Sequence, residues 1–328
     1  MTKIFITRAI PGQAIKELKK RKGIIIDAYE KDQQIPRKEL LKRVKGVNIL
    51  VPLLTETIDK EVMDWAGAEL KMIANYTVGF DNVNVDEAKK RGIVVTNAPS
   101  QQTSESVAEH AIALILALSH RIVEADTFTR AGKYKGWDPN LFLGSDIMGK
   151  TLGIIGAGRI GAGIARRLHA GFGIKIIYTD THRNPEFEKM FGAKFKTQTQ
   201  LLKESDIVTL HVPLLPTTKH LISTKELKLM KKTSILINTS RGPVVDELAL
   251  IKALSKKQIA GAGLDVYECE PAIDCNIKDK FELRKLSNVI LTPHTASSTI
   301  QARQAMTAVV VKNISAFIDG KKIPNKIV

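Results

Sequence analysis

One stretch constrains this chain more than any other: Thr151-Leu-Gly-Ile-Ile-Gly-Ala-Gly-Arg-Ile-Gly-Ala-Gly-Ile-Ala-Arg-Arg-Leu168. Leu152, Ile154 and Ile155 make the short apolar run of a parallel strand covered on both faces. Gly156, Gly158 and Gly161 follow at G-x-G-x-x-G spacing and lead into a helix. Each glycine has its own reason: a sharp turn at Gly156, room for a phosphate against the backbone at Gly158, and close helix–strand packing at Gly161. The N–H groups at the helix start would face the phosphate charge. A second apolar strand, Ile174-Lys-Ile-Ile-Tyr-Thr179, ends at Asp180, about 20 residues beyond the turn, where a ribose-binding carboxylate belongs. Strand, turn, helix, second strand and acid agree, so a dinucleotide site is expected here.

The rest of the chain sets the frame. Its 328 residues are too many for one comfortable core, so two domains are expected. No apolar run approaches the roughly 20 residues of a membrane span, and the first residues lack the long apolar core of a signal peptide. A cytoplasmic location and no membrane partner are the expectations. The two cysteines, Cys269 and Cys275, have no metal-ligand spacing, so no metal is expected; they could reach each other as a disulfide, but free thiols are expected in a reducing compartment. The formal charge of +16 raises nucleic-acid binding, but the basic residues are dispersed at helix ends and loops and are not interleaved with aromatics. No nucleic-acid partner is expected; a general positive field would instead steer small anionic ligands.

Up to about residue 99, strand and helix signals alternate. Strands are expected at 3–7, 24–27, 47–51, 70–75 and 93–96, and helices at 13–21, 38–45, 60–66 and 86–91. Such a repeated βα pattern implies a parallel sheet. In the loop after the fourth strand, Val78 and Gly79 offer backbone N–H groups to an anion; a simple turn is the competing reading. A helix capped around Ser104 and apolar on all sides over 107–119 is expected to be buried. The loop 132–149 carries Trp137, Pro139, Leu141 and Phe142, which suit a subunit contact or an active-site wall. After the glycine turn a second αβ series runs through strands at 207–212, 234–238, 260–266 and 288–291, and a helix at about 297–317 precedes a tail.

Three strands of this second series end in a reactive group: Arg241, Glu270 and His294. In an open parallel sheet ligands bind at the carboxyl ends of strands, so all three should share an edge with the glycine turn. Hydride transfer to a carbonyl needs these residue types. Histidine titrates near neutrality and can give or take the carbonyl proton. Glu270, hydrogen-bonded to the imidazole, would favour the charged ring and fix its tautomer. Arg241 would offer a fork of donors to a carboxylate and to the developing alkoxide.

At this point the chain resembles the D-isomer-specific 2-hydroxyacid dehydrogenase family over nearly its whole length. The matching segments are Asn75-Tyr-Thr-Val-Gly-Phe-Asp-Asn82, the glycine turn, His211-Val-Pro-Leu214, Asn238-Thr-Ser-Arg-Gly-Pro-Val-Val-Asp246, Gly261-Ala-Gly-Leu-Asp-Val-Tyr-Glu-Cys-Glu-Pro271 and Leu291-Thr-Pro-His294. The resemblance implies catalytic roles for Arg241, Glu270 and His294, and a substrate carboxylate held by Val78, Gly79 and Arg241. It implies cofactor contacts at Gly156, Gly158, Arg159, Ile160, Gly161, Asp180, Val212, Pro213, Thr218, Thr239 and Asp265. The implied fold is α/β, with two Rossmann-like doubly wound parallel-sheet domains. The NAD-binding domain, 101–296, would be inserted into a discontinuous substrate-binding domain, 1–100 and 297–328. A homodimer through the cofactor domain is implied, with the loop around Trp137 embracing the partner.

Within the family, Trp137-Asp-Pro-Asn-Leu-Phe-Leu-Gly144 is similar to the glyoxylate and hydroxypyruvate reductase branch. Asp180 would repel a 2′-phosphate, so NAD(H) is expected over NADP(H), although His182 and Arg183 stand near enough to screen one. Ala296, where a glycine is common, and Ser100-Gln-Gln-Thr103 depart from that branch. The expected activity is reduction of a small anionic 2-keto acid, such as glyoxylate, hydroxypyruvate or pyruvate, to its D-2-hydroxy acid. The alternatives are a D-3-phosphoglycerate dehydrogenase-like enzyme, for whose common regulatory domain a chain ending at Val328 leaves no room, and an NAD(H)-sensing corepressor-like binding protein. A formate dehydrogenase fits less well, since that relative has an amide where this chain has Glu270.

Overall fold

The computed structural model describes residues 1–270 and 283–328. They fall into two compact units, Met1–Thr103 with Ser298–Val328, and Ser104–Ser297.

The first unit is built on β1 (Thr2–Ile6), α1 (Gln13–Lys19), β2 (Ile24–Ala28), α2 (Arg37–Arg43), β3 (Ile49–Val51), α3 (Lys60–Ala66), β4 (Met72–Ala74), α4 (Val85–Lys90) and β5 (Val94–Thr96). The strands form one parallel sheet in the order β2-β1-β3-β4-β5. Successive side chains on a strand point to opposite faces. Phe5, Leu50, Ile73 and Val95 therefore pack on one face with Leu40, Val62, Met63 and Ala88 of α2–α4. Ile4, Ile49, Val51 and Met72 pack on the other with Leu18 and with Met306, Val310 and Ile314 of the helix Ile300–Ile318. Burial on both faces is why these strands read as unbroken apolar runs. The chain end is more than a tail. Ile327 N donates to Val95 O at 2.8 Å and Val95 N to Val328 O at 3.3 Å, in antiparallel register with β5.

The second unit contains α5 (Gln101–Ser119) from Ser104 onward, then α6 (Ile122–Arg130), β6 (Thr151–Ile155), α7 (Arg159–Phe172), β7 (Lys175–Thr179), α8 (Pro185–Phe191), β8 (Lys194–Phe195), α9 (Gln198–Glu204), β9 (Ile207–Leu210), α10 (Thr224–Leu229), β10 (Ile235–Asn238), α11 (Glu247–Ser255), β11 (Gly261–Leu264) and β12 (Val289–Leu291). The helix Ile300–Ile318, α12, belongs to the first unit. The seven strands are parallel in the order β12-β11-β10-β9-β6-β7-β8. The strand order reverses between β6 and β9, the place where such sheets bind ligands.

Several expectations are corrected. The long helix starts at Gln101, not beside a cap at Ser104: Thr103 N donates to Ser100 Oγ at 3.0 Å, so Ser100 closes the first turn. Nor is α5 buried all round. Ala108, Ala111 and Ile115 are in the core, while Ala113 is exposed and Ile112, Leu116 and Leu118 are half-buried. Two elements, α8 and β8, lie where the sequence reading has none; Asn184 caps α8 by accepting from Phe187 N at 3.0 Å, and Gly192 ends it at φ 59°. Cys269, expected as a free thiol, is disulfide-bonded, and Cys275, the chain's other cysteine, lies outside the described residues. Among the described residues no single helix is long and apolar enough to cross a membrane.

Candidate active site

All the candidate groups of the second unit follow a strand of its parallel sheet, and so share its carboxyl edge. The glycine turn follows β6, Asp180 follows β7, and Val212 and Pro213 follow β9. Thr239 and Arg241 follow β10, Asp265 and Glu270 follow β11, and His294 follows β12.

The glycine turn divides its tasks by space. Gly156 has φ 96°, and a Cβ there would lie 2.6 Å from His211 O; a Cβ on Gly161 would lie 2.6 Å from Gly156 O. At Gly158, by contrast, nothing stands within 4 Å of where a Cβ would be. No side chain caps α7, so its first amides face outward from the turn. Arg159 is exposed and Ile160 half-buried. Across the edge, Asp180 is exposed; its Oδ2 accepts from Ala157 N at 2.8 Å and its Oδ1 from Thr181 N at 2.7 Å. The Arg183 guanidinium forks onto Glu188, at 2.7 and 2.8 Å. Residues 180–186 border an open surface depression.

Two buried polar atoms on this edge, Thr239 Oγ1 and His211 Nδ1, have no hydrogen-bond partner among the described residues. Burial holds the His211 imidazole down to about 3, so the ring is neutral near pH 7. Thr218 closes the following loop, with Oγ1 donating to Pro213 O at 2.6 Å and accepting from Leu215 N at 2.8 Å. An open glycine backbone, an uncapped helix start, an exposed acid and buried orphan polar atoms together fit a dinucleotide.

The reactive groups are held by neighbours from the same motif segments, in support roles the motifs do not state. Asn238 ends β10: its Nδ2 donates to Arg241 O at 2.9 Å, and its Oδ1 accepts from Ser240 N at 3.0 Å and Ser240 Oγ at 2.8 Å. The Arg241 guanidinium donates to Ser240 O at 2.8 Å. Glu270 Oε2 lies 2.7 Å from His294 Nδ1, and both side chains are about a quarter exposed. His294 has φ 54°, a left-handed conformation that costs a non-glycine residue energy unless its surroundings impose it.

Asp265 supplies that constraint. Its carboxylate is fully buried and accepts from Thr292 Oγ1 at 2.6 Å, Thr295 N at 2.8 Å and Ala296 N at 2.8 Å, while its C=O accepts from His294 N at 2.8 Å. Its side chain therefore meets the His294 turn. His110 of α5, unremarked in the sequence, stands 3.0 Å from Thr292 Oγ1. Tyr267 donates to Thr292 O at 2.9 Å; burial and the nearby Asp265 and Glu270 carboxylates push its hydroxyl up to about 12, so it remains a donor. His220 pairs with Glu268 at 2.7 Å and so ties the Thr218 loop to the segment that carries Glu270.

In the first unit, Val78 and Gly79 lie in the loop after β4. Three successive carbonyls are held: Thr77 O by Ala98 N at 2.8 Å, Val78 O by Asn97 Nδ2 at 2.7 Å, and Gly79 O by Thr77 Oγ1 at 2.6 Å and Asn75 Nδ2 at 3.2 Å. The N–H groups of Val78 and Gly79 donate to nothing among the described residues.

With this geometry in view, comparison with known proteins is direct. Residues 112–296 match the model of the D-isomer specific 2-hydroxyacid dehydrogenase NAD binding domain. The chain is 50% identical over 327 residues to a glyoxylate reductase of Thermococcus litoralis, covering 98% of this chain and 96% of the relative. It is similar in structure to a D-lactate dehydrogenase from Aquifex aeolicus solved with NAD and lactic acid, with a TM-score of 0.87, 30% identity, and coverage of 100% of this chain and 99% of that one. It is also similar to an NADPH-dependent glyoxylate/hydroxypyruvate reductase from Sinorhizobium meliloti, with a TM-score of 0.83, 31% identity, and coverage of 100% and 98%. The chain belongs to the D-isomer-specific 2-hydroxyacid dehydrogenase family and is an NAD-binding oxidoreductase.

Proposed function

We propose that this protein is an NAD(H)-dependent reductase that interconverts a small 2-keto acid, with glyoxylate first and hydroxypyruvate or pyruvate next, and its D-2-hydroxy acid. The observation that carries the reading is the 2.7 Å Glu270–His294 pair on the same sheet edge as the open glycine turn. The name of the Thermococcus litoralis relative favours glyoxylate.

In this reading the bound nicotinamide supplies the hydride during reduction and takes it during oxidation. His294 gives a proton to the carbonyl oxygen as it becomes an alkoxide, and takes it back in reverse. Glu270 on Nδ1 fixes the tautomer so that Nε2 does this work, and stabilises the charged ring. Arg241 places its guanidinium on the substrate carboxylate and the developing charge. The amides of Val78 and Gly79 bind the same carboxylate. The first unit is then the substrate-binding domain and the second the cofactor domain.

Gly156, Gly158, Arg159, Ile160, Gly161, Val212, Pro213, Thr218 and Thr239 are the residues that would hold the cofactor, the glycine turn offering its amides to anionic oxygens. Thr239 Oγ1, without a hydrogen-bond partner among the described residues, would gain one from it. Asp265, with no exposed side-chain surface, acts by positioning the His294 turn. Asp180 would accept from ribose hydroxyls and disfavour a 2′-phosphate, and the commitment of Arg183 to Glu188 supports NAD(H) over NADP(H). The exposed apolar side chains of Ile122, Val123, Trp137, Leu143 and Met148 support a homodimer through the cofactor unit.

A panel of glyoxylate, hydroxypyruvate and pyruvate, each with NADH and with NADPH, tests the reading. Oxidation of NADH with at least one acid, faster than of NADPH, is expected. Oxidation of neither cofactor with any of the three would refute it.

A further inference from the structure

Asn97 follows β5 and carries none of the roles assigned above, yet it controls the direction of one expected substrate donor. A peptide group is planar and trans, so its C=O and N–H point in opposite directions. The bond from Asn97 Nδ2 to Val78 O, at 2.7 Å, therefore sets where Gly79 N–H points. By the same geometry the Ala98 N–H on Thr77 O, at 2.8 Å, sets Val78 N–H. The two donor directions are thus both imposed from the segment that follows β5.

Asn97 is itself held by a closed ring of amides. Asn97 N donates to Asn325 O at 3.3 Å. Asn325 Nδ2 donates to Asn313 Oδ1 at 3.2 Å, and Asn313 Nδ2 donates to Asn97 O at 3.0 Å. Asn313 sits in α12 and is fully buried, with both ends of its side chain satisfied by this ring. A satisfied buried polar network is rigid, and a half-satisfied one is costly. The ring uses only the main chain of Asn97, which leaves its side chain free to clamp Val78.

We infer that Asn97 is a positioning residue for the substrate carboxylate, held in register by α12 and the C-terminal segment through Asn313 and Asn325. The inference rests on the reading of Val78 and Gly79 as carboxylate donors, and extends the substrate cradle to the far end of the chain.

The test is a KM split on the full-length enzyme. Asn97→Ala and the isosteric Asn97→Asp both remove the donor to Val78 O and spare the ring. Each should raise the KM for glyoxylate roughly five- to tenfold, the worth of one hydrogen bond, with the KM for NADH and the melting temperature nearly unchanged. Asn325→Ala should do the same more weakly. Val78→Pro, which deletes a donor directly, tests the underlying reading. If Val78→Pro raises the glyoxylate KM and neither Asn97 variant does, the inference is overturned and the cradle stands. If Val78→Pro also has no effect, the cradle reading itself fails. An equal rise in the KM for NADH in the Asn97 variants would mark general damage and overturn the positioning role.

Discussion

Asn238 donates from its side chain to the Arg241 carbonyl at 2.9 Å while accepting from both donors of Ser240. One amide at the end of β10 thereby shapes the whole turn that presents the guanidinium. Removing it should loosen Arg241 without touching it. Asn238→Ala is expected to lower kcat/KM for the keto acid by about tenfold, equivalent to ~1.4 kcal/mol, with a smaller change in the KM for NADH. Steady-state kinetics with each substrate varied in turn checks this; an equal loss on both sides would contradict it.

Asp180 is exposed at the end of β7, and Arg183, three residues further on, is committed to Glu188. Like charges brought together cost several kcal/mol. Asp180→Ser should therefore improve NADPH relative to NADH by at least about tenfold in kcat/KM, or ~1.4 kcal/mol. An unchanged cofactor ratio would show that another group sets the preference.

Trp137 is 83% exposed, Leu143 65% and Met148 76%. Large apolar side chains exposed along one loop suit the subunit contact of the proposed dimer. Charged replacements of Trp137 and Leu143 together, to Glu, should shift the protein from dimer to monomer in sedimentation velocity. A wild type that sediments as a monomer at micromolar concentration would contradict the dimer.

Asp206 opens β9 and accepts from Lys231 Nζ at 2.8 Å and Thr151 N at 2.9 Å. Burial would raise its pKa, but these bonds outweigh burial and hold the carboxyl below its ordinary 3.8. A group depressed in this way stabilises the fold above its unfolded pKa, and loses that contribution as pH falls through the folded value. Asp206→Asn should cost about 1–3 kcal/mol near pH 7, and the gap to wild type should close as pH drops below 3.8. Urea unfolding across this range measures it; a gap that stays constant would be inconsistent with the linkage.

The sequence exposed what repeats and what is punctuated. The strand–glycine–helix stretch was legible because its glycines answer to local space: Gly156 to the His211 carbonyl and Gly161 to the Gly156 carbonyl. α3 was legible to the residue, since Asp59 caps it and Gly67 ends it. α8 and β8 were missed because they are short, with Phe187 and Phe191 buried by tertiary contacts that a short window cannot show. The early start of α5 was missed because Ser100, not Ser104, is the serine that accepts from the first turn. The supports of the reactive groups were invisible for another reason. Asn97, His110 and Asn313 are ordinary residues whose meaning lies in partners far away in the chain, such as Asn313 on Asn97 O and His110 on Thr292.

The central claim is that His294, held by Glu270, moves the proton. Its most direct test is His294→Ala, assayed for glyoxylate reduction and, in parallel, for NADH binding by fluorescence titration. The account predicts a loss of turnover of roughly 10²–10⁴-fold, the usual worth of a general acid, with NADH affinity unchanged. Near-normal turnover in this variant would contradict it.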